Sequence, residues 1–335
     1  MAGCNVAQRR LARMTFRHLG GMVGAMSKPK LLMIVPVKWA GLAGSALGRV
    51  EIVVEGKDDY EPAEIDYVLS FRPPPGLLAS LPNLKAAFSL GAGVDGFLCD
   101  PTYPKHVPLV RFVDRTLSAE MAQYLLLQAL TFHRMQRFFD ECQRESQWRQ
   151  RVLERRTEET HIGFLGLGEI GSFTASHFVE LGFPVRSWTR QRKAVPGVTS
   201  FAGPEEMTAF LGRCDILICL LSLTRQTAGI LNAETFAALP QGALVINVAR
   251  GGHLNEADLI AALDSGHLAG AVLDVFEYEP LAQDNPLWRH PKVTVTPHVA
   301  AISQPAVVLA YVRDGIAAFE RGDQPATVVD VNTAY

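Results

Sequence analysis

His161-Ile-Gly-Phe-Leu-Gly166-Leu-Gly168-Glu-Ile-Gly171 is the stretch on which the reading of this chain turns. The apolar run Ile162 to Leu165 predicts a buried parallel strand and Glu169 to Leu181 predicts a helix, so the glycines fall at a strand-to-helix turn. This is the setting of a dinucleotide fingerprint. Gly166 permits the tight turn, Gly168 lets the backbone approach a pyrophosphate, and Gly171 lets the helix pack close to the strand. Leu167, Glu169 and Ile170 lie among them at the helix N-terminus, where unpaired N–H groups and positive partial charge favour a phosphate.

Outward from this turn the strand-and-helix alternation continues in both directions. From Leu31 to Leu90, apolar runs at Leu31 to Val35, Val50 to Val54, Tyr67 to Phe71 and Ala86 to Leu90 predict strands of a small α/β unit. Pro73-Pro-Pro-Gly76 marks a sharp loop after the third. A long helix is expected from about Thr116, with Glu120 in its first turn and Leu125, Leu126, Leu127 and Leu130 as its apolar body, bridging into a second unit. After the polar stretch Gln143 to Thr160, strands are expected at Ile162 to Leu165, Val185 to Trp188, Ile216 to Leu221, Leu244 to Val248, Gly270 to Val275 and Val293 to Val295. Asn255 is read as a helix cap and Gly266 as that helix's end. Such an alternation gives a doubly wound parallel sheet. The last helix, about Pro305 to Arg321, is expected to return to the first unit.

At 335 residues, 48% of them apolar, the chain can bury two ordinary cores. The formal charge of -2 gives no reason to expect nucleic acid or an anionic membrane as a partner. The cysteines Cys4, Cys99, Cys142, Cys214 and Cys219 lack metal-ligand or disulfide spacing, so they are read as ordinary thiols of a reducing compartment and no metal is expected. The apolar stretches are strand-sized rather than membrane-sized. Residues 1–27 carry Arg9, Arg10, Arg13 and Arg17 and no acid. That composition resembles an organelle presequence, against the plainer reading of a start assigned too far upstream. The segment is expected to be an extension that adds little to the fold, and the protein to be cytoplasmic.

In an open α/β sheet, ligands lie beyond the carboxyl ends of the strands. Three candidates sit there. Arg250 follows Leu244 to Ala249, and a guanidinium there can hold a carboxylate by paired hydrogen bonds. Glu279 follows the Gly270 to Val275 run, and His298 follows Val293-Thr-Val-Thr-Pro. Each alone has a plain alternative, as a solvated arginine, a loop glutamate or a structural histidine. Together, at successive strand ends, they point to chemistry.

With these residues in view, the chain from about residue 30 onward resembles the D-isomer-specific 2-hydroxyacid dehydrogenase family, most closely its glyoxylate/hydroxypyruvate reductase A branch. The resemblance rests on Leu90-Gly-Ala-Gly-Val-Asp95, Gly166 to Gly171, Asn247-Val-Ala-Arg-Gly251, Leu273 to Leu281, Pro286 to Pro291 and Thr296-Pro-His-Val-Ala-Ala301. It implies two Rossmann-like domains. Residues 116–300 would form a dinucleotide-binding domain inserted in a smaller, flavodoxin-like substrate domain built from 28–115 and 301–335. It further implies His298 as general acid, Glu279 as the group that orients the imidazole, and Arg250 as the grip on the substrate carboxylate. Backbone N–H groups of Ala92 and Gly93 would help hold that carboxylate. Leu221, Ser222, Val248, Ala249 and Asp274 would lie along the cofactor, Asp274 at the nicotinamide carboxamide. Ser222 stands where the family usually has proline.

An NAD-specific Rossmann domain places an acid at the end of its second strand, to bind the ribose hydroxyls. Here that position is Thr189, followed by Arg190, Arg192 and Lys193. A cation about 4 Å from a phosphate gains on the order of 4 kcal/mol per charge pair at an effective dielectric of 20, before desolvation. NADPH is therefore the expected cofactor, with Thr189, Arg190 and Arg192 on its 2′-phosphate and NADH as a possible substitute. Arg72 is a candidate second contact to the substrate, and Trp148 and Trp288 are candidate pocket walls. The expected activity is reduction of glyoxylate to glycolate and of hydroxypyruvate to D-glycerate. The competing readings are a reductase of a bulkier 2-hydroxy acid and a dinucleotide-sensing, corepressor-like binding protein. A homodimer is expected from the resemblance.

Overall fold

The computed structural model describes residues 28–153 and 155–331. The readings made of residues 1–27 lie outside that part. The apolar runs before Leu90 form β1 (Lys30–Ile34), β2 (Glu51–Val54), β3 (Tyr67–Ser70) and β4 (Ala86–Ser89), joined by a short β5 (Leu109–Val110). The middle of the chain forms β6 (Ile162–Leu165), β7 (Val185–Thr189), β8 (Val198–Ala202), β9 (Ile216–Cys219), β10 (Ala243–Asn247), β11 (Leu268–Leu273) and β12 (Val293–Val295). Near the end, β13 (Val328–Val329) lies antiparallel against β5.

Two sheets result. The first runs β13-β5-β4-β3-β1-β2, whose parallel part has the flavodoxin-like order. The second runs β12-β11-β10-β9-β6-β7-β8, all parallel, with the strand order reversing between β6 and β9 as in a dinucleotide-binding fold. Strands β6, β9 and β10 are buried along their whole length because helices cover both faces, which is why they read as unbroken apolar runs.

The sequence reading gave this sheet six strands, and the seventh is β8. Its residues Val198-Thr-Ser-Phe-Ala202 are only partly buried, because an edge strand has one neighbour and tolerates polar side chains. It shows no apolar run to detect.

The long helix Arg115–His133 starts where Asp114 accepts the Thr116 N–H at 2.7 Å. Its buried face is Leu117, Met121, Leu125 and Ala129, and the last three share a core with Ala175 and Phe178 of the helix Glu169–Glu180. The expected apolar body is therefore corrected. Leu127 is 61% exposed, since helical periodicity turns it away from the face that carries Leu125. The helix Pro305–Glu320 packs Val308, Leu309, Val312 and Ile316 against Leu31, Met33 and Phe88 of the first sheet. Asn255 caps its helix by accepting from the Asp258 N–H at 3.1 Å.

Among the described cysteines, Cys142, Cys214 and Cys219 are buried and Cys99 is exposed. Burial pushes the Cys214 and Cys219 thiols up to about 12, leaving them unreactive. Among the described residues no helix is long and apolar enough to cross a membrane, and no group of side chains could hold a metal ion.

Gly163 in β6 faces Cys214 so closely that a Cβ would lie 2.3 Å from its sulfur. Gly163→Ala should cost about 1–3 kcal/mol through overpacking and lower the melting temperature. Shortening the neighbour in Gly163→Ala/Cys214→Ala should recover part of the loss; a double variant no more stable than the single would refute this packing account.

Candidate active site

The carboxyl ends of both sheets supply the candidate side chains. Phe71 follows β3 and the Leu90 to Asp95 turn follows β4. The glycine turn follows β6, Arg250 follows β10, Asp274 follows β11 and His298 follows β12.

His298 has a positive φ of 56°, a conformation that costs a non-glycine residue free energy unless its surroundings fix it. Asp274 provides the fixing. Its carboxylate is 1% exposed and accepts the N–H groups of Val299 and Ala300, both at 2.9 Å, and the Thr296 hydroxyl at 2.5 Å. Its main-chain carbonyl accepts the His298 N–H at 2.8 Å. Tyr124, from the long helix, closes the set with a 2.6 Å hydrogen bond to the Thr296 hydroxyl. Asp274 is thus placed as the anchor of the His298 turn.

So held, His298 donates from Nδ1 to Glu279 Oε2 at 2.8 Å, which leaves Nε2 as the outward nitrogen. Glu279 Oε1 also accepts the Phe276 N–H at 3.0 Å. Partial burial raises the Glu279 pKa, but the His298 and Phe276 hydrogen bonds and the Arg250 charge outweigh it, and the carboxyl lies below its ordinary value.

Arg250 donates from Nε to Asp95 at 2.9 Å and from Nη1 to the Ala249 carbonyl at 2.7 Å. Its Nη2 lies against Gly93, where a Cβ would come within 1.8 Å of it, so any side chain there would displace the guanidinium. Gly93 and Asp95 belong to the turn after β4, and Ala92 lies in the same turn. The structure therefore joins Arg250 of the second sheet to the Ala92–Gly93 backbone of the first. Phe71 meets both side chains: its ring is 5.8 Å from the Arg250 guanidinium and meets the His298 ring edge-on at 5.9 Å.

Asp95 and Phe71 touch the candidate residues and had been given no role by sequence reasoning. Asp95 was visible within its motif, and Phe71 carried the weaker signal of an aromatic at the end of a strand. Arg72, the neighbouring candidate, is exposed, and no hydrogen bond or ion pair joins it to Arg250, Glu279 or His298. Trp148 and Trp288 are 94% and 47% exposed and form no wall of this site.

At the glycine turn, Gly166 has a φ of 96°, and a Cβ there would lie 2.9 Å from the Leu220 carbonyl. A Cβ on Gly171 would lie 2.6 Å from the Gly166 carbonyl. Gly168 instead faces open space, as close approach by a pyrophosphate requires. Leu167, Val248 and Ala249 are buried, so their contacts to a ligand would be through main chain, whereas Gly168, Glu169 and Ser222 are exposed and Ile170 and Leu221 partly so. These features fit a dinucleotide.

The cationic strand end is revised in part. Thr189 is buried and its hydroxyl donates to the Gln191 carbonyl at 2.6 Å, so it shapes the turn. Arg192 pairs with Glu206 at 2.5 Å and donates to the Ser200 carbonyl, which draws it toward β8. Lys193 reaches the glycine turn, its Nζ donating to the Leu167 carbonyl at 3.0 Å. Arg190 is exposed at the same strand end.

Comparison with known proteins agrees with this architecture. Residues 126–300 match the NAD binding domain of D-isomer specific 2-hydroxyacid dehydrogenase. The chain belongs to this family. It is 41% identical over 302 residues to a glyoxylate/hydroxypyruvate reductase A of Salmonella paratyphi B, covering 89% of this chain and 96% of that one. A D-isomer specific 2-hydroxyacid dehydrogenase of Xanthobacter autotrophicus Py2, solved with NADPH and MES, superposes with a TM-score of 0.85 at 38% identity, over 92% of this chain and 100% of that one. An NADPH-dependent glyoxylate/hydroxypyruvate reductase of Sinorhizobium meliloti, solved with NADP and sulfate, gives 0.86 at 36% identity with the same coverage. This dehydrogenase is accordingly a nicotinamide-nucleotide-dependent oxidoreductase.

Because the folded-state pKa of Glu279 is depressed, its contact with His298 contributes stability above the ordinary value of 4.5 and loses it as pH falls through the lower, folded value. Acid-unfolding curves of Glu279→Gln should therefore be shallower than the parent's below about pH 4.5, where only the parent has this contribution to lose. Identical slopes would refute the assignment. Asp274→Asn, which cannot accept three donors as a carboxylate does, should cost about 1–3 kcal/mol in denaturant unfolding and free the His298 turn.

Proposed function

We propose that this dehydrogenase reduces small 2-oxo acids with NADPH, taking glyoxylate to glycolate and hydroxypyruvate to D-glycerate. The observation that carries the reading is the convergence of Arg250, His298 and Phe71, with the guanidinium over the Phe71 ring at 5.8 Å and the imidazole meeting the same ring at 5.9 Å.

Arg250 is directed by Asp95 and Gly93, and its charge binds the substrate carboxylate together with the Ala92 and Gly93 N–H groups. That grip aims the 2-oxo carbon's oxygen at His298. A bound nicotinamide dinucleotide supplies the hydride. His298 Nε2 delivers a proton to the developing alkoxide, and Glu279 holds the imidazole's other nitrogen so that Nε2 faces the substrate. The Phe71 ring stands against both side chains, and its bulk there favours small acids over bulkier ones.

NADPH is favoured by the missing acid at Thr189 and by the cations Arg190 and Lys193, the second of which lies directly at the glycine turn. NADPH is bound by similar proteins of this family, as the Xanthobacter structure shows for its own chain. Arg192 would join only by leaving Glu206. Asp274 would keep its anchoring role whether or not it also meets the nicotinamide carboxamide.

The test is loss of NADPH absorbance with hydroxypyruvate or glyoxylate, with NADH run beside it. NADPH should be oxidised at least about tenfold more efficiently, the equivalent of about 1.4 kcal/mol. Lys193→Ala should narrow that ratio and His298→Ala should abolish turnover. Equal use of both cofactors would overturn the phosphate-site reading; turnover of bulkier 2-oxo acids alone would overturn the substrate reading. Phe71→Ala is expected to raise kcat/KM for bulkier 2-oxo acids relative to glyoxylate.

A further inference from the structure

His253 is fully buried in the turn Gly251–His253, behind the Arg250 clamp. A buried histidine must place both ring nitrogens, and this one places only Nδ1 in a well-formed hydrogen bond. Nδ1 lies 3.1 Å from the Arg250 carbonyl, and because a carbonyl only accepts, Nδ1 carries the proton. Nε2 is buried and makes no well-formed hydrogen bond, although the Ser222 backbone lies within reach of the ring. A leucine of similar bulk would avoid that unsatisfied nitrogen.

The Arg250 carbonyl is gripped from several sides. It accepts from Asn247 Nδ2 at 3.0 Å and from the His253 N–H at 3.2 Å as well as from the ring. Asn247 also accepts the Ala249 N–H at 3.2 Å, so residues 247–250 are braced from within while His253 braces them from behind. A Cβ on Gly251 would collide with the Phe276 main chain at 1.8 Å, which leaves the turn no room to shift toward β11.

The ring also stands between two segments. Burial, and less strongly the Arg250 charge, lower the imidazole pKa against the opposing pull of the Ser222 and Arg250 backbones, so the ring is held neutral between them. Ser222 belongs to the loop whose start, Leu220 and Leu221, packs on Gly166 of the glycine turn. Its carbonyl is fixed by the Thr227 hydroxyl at 2.7 Å. The His253 carbonyl accepts the Leu231 N–H at 2.8 Å, tying the far end of that loop to the same residue.

We propose that His253 is a positioning residue for the carboxylate clamp, its Nδ1–H fixing the Arg250 carbonyl and its ring bracing that turn against the Ser222 loop. The inference rests on the reading of Arg250 as the substrate grip. It predicts that the ring's hydrogen bond acts on substrate binding rather than on NADPH binding.

The experiment compares His253→Leu, His253→Asn and His253→Gln in the full chain. Steady-state KM and kcat are measured, along with calorimetric binding of oxalate, a planar dicarboxylate, to the NADPH-loaded protein, and the melting temperature of each variant. His253→Leu should raise KM for hydroxypyruvate and Kd for oxalate about tenfold, the loss of one hydrogen bond's worth of alignment, with KM for NADPH within about twofold. The Asn amide can place an N–H where Nδ1–H was, so His253→Asn should return both values to within about threefold of the parent. Gln reaches the Nε2 position instead and should behave like Leu.

Unchanged oxalate affinity in His253→Leu with only a lower melting temperature would overturn the proposal. So would a His253→Gln that rescues as well as His253→Asn. Should His253→Leu not fold, the Asn against Gln comparison decides alone. A parent that binds oxalate but does not turn over hydroxypyruvate or glyoxylate would overturn the proposed reaction, and the His253 comparison would still be read from oxalate binding.

Discussion

Asp274 is buried to 1% exposure, where a carboxylate needs hydrogen-bond donors, and it finds them in the segment that carries His298. Sheet formation and the placing of His298 are thereby one event. Strand β11 ends at Leu273, the chain turns, and the buried charge recruits the Thr296 hydroxyl and the Val299 and Ala300 N–H groups from the end of β12. The left-handed His298 backbone lies between those donors, and its conformational cost is met by hydrogen bonds that exist only in that geometry. Tyr124 ties the arrangement to the long helix, so His298 is referenced to the scaffold rather than to its own loop.

The Arg250–Asp95 pair plays the corresponding part between the two sheets. Neither residue is fully exposed, and the guanidinium is seated where Gly93 has no side chain. One end of the clamp therefore belongs to β10 and the other to the turn after β4. A substrate carboxylate placed here would be bound by groups from both sheets, so binding and the relative placement of the sheets are thermodynamically linked. Phe71 extends that linkage to His298 by touching both side chains at once.

The fold was legible wherever burial on two faces forces unbroken apolar runs, as in β6, β9 and β10, and wherever glycine is required by a positive φ, as at Gly166. It was not legible in β8, whose edge position relaxes the pattern, nor in β5 and β13, which are too short to show one. The site followed the same division. Arg250, Glu279 and His298 were visible because strand ends in an open α/β sheet are where ligands lie, and their motifs carry a resemblance. Asp95, Phe71 and His253 act through contacts between segments far apart in sequence, and no local pattern encodes such contacts. The direction of a side chain was also hidden: Arg192 and Lys193 are adjacent in sequence, yet one turns to Glu206 and the other to Leu167.

That last difference bears on how a single glycine turn can be adapted to a phosphate-bearing nucleotide. The turn itself offers only backbone N–H groups and the helix end, which serve any dinucleotide. Discrimination must come from the end of the second strand, β7, where a buried Thr189 closes the turn on Gln191 and adds no negative charge. Lys193 folds back over the turn from the far side of that loop, bringing a positive charge to the Leu167 carbonyl. Because Arg192 is neutralised by Glu206, it adds less to the local potential than its place in the sequence suggests. On the proposed reading, the electrostatic bias toward a phosphate then comes chiefly from Lys193, which lies at the glycine turn itself.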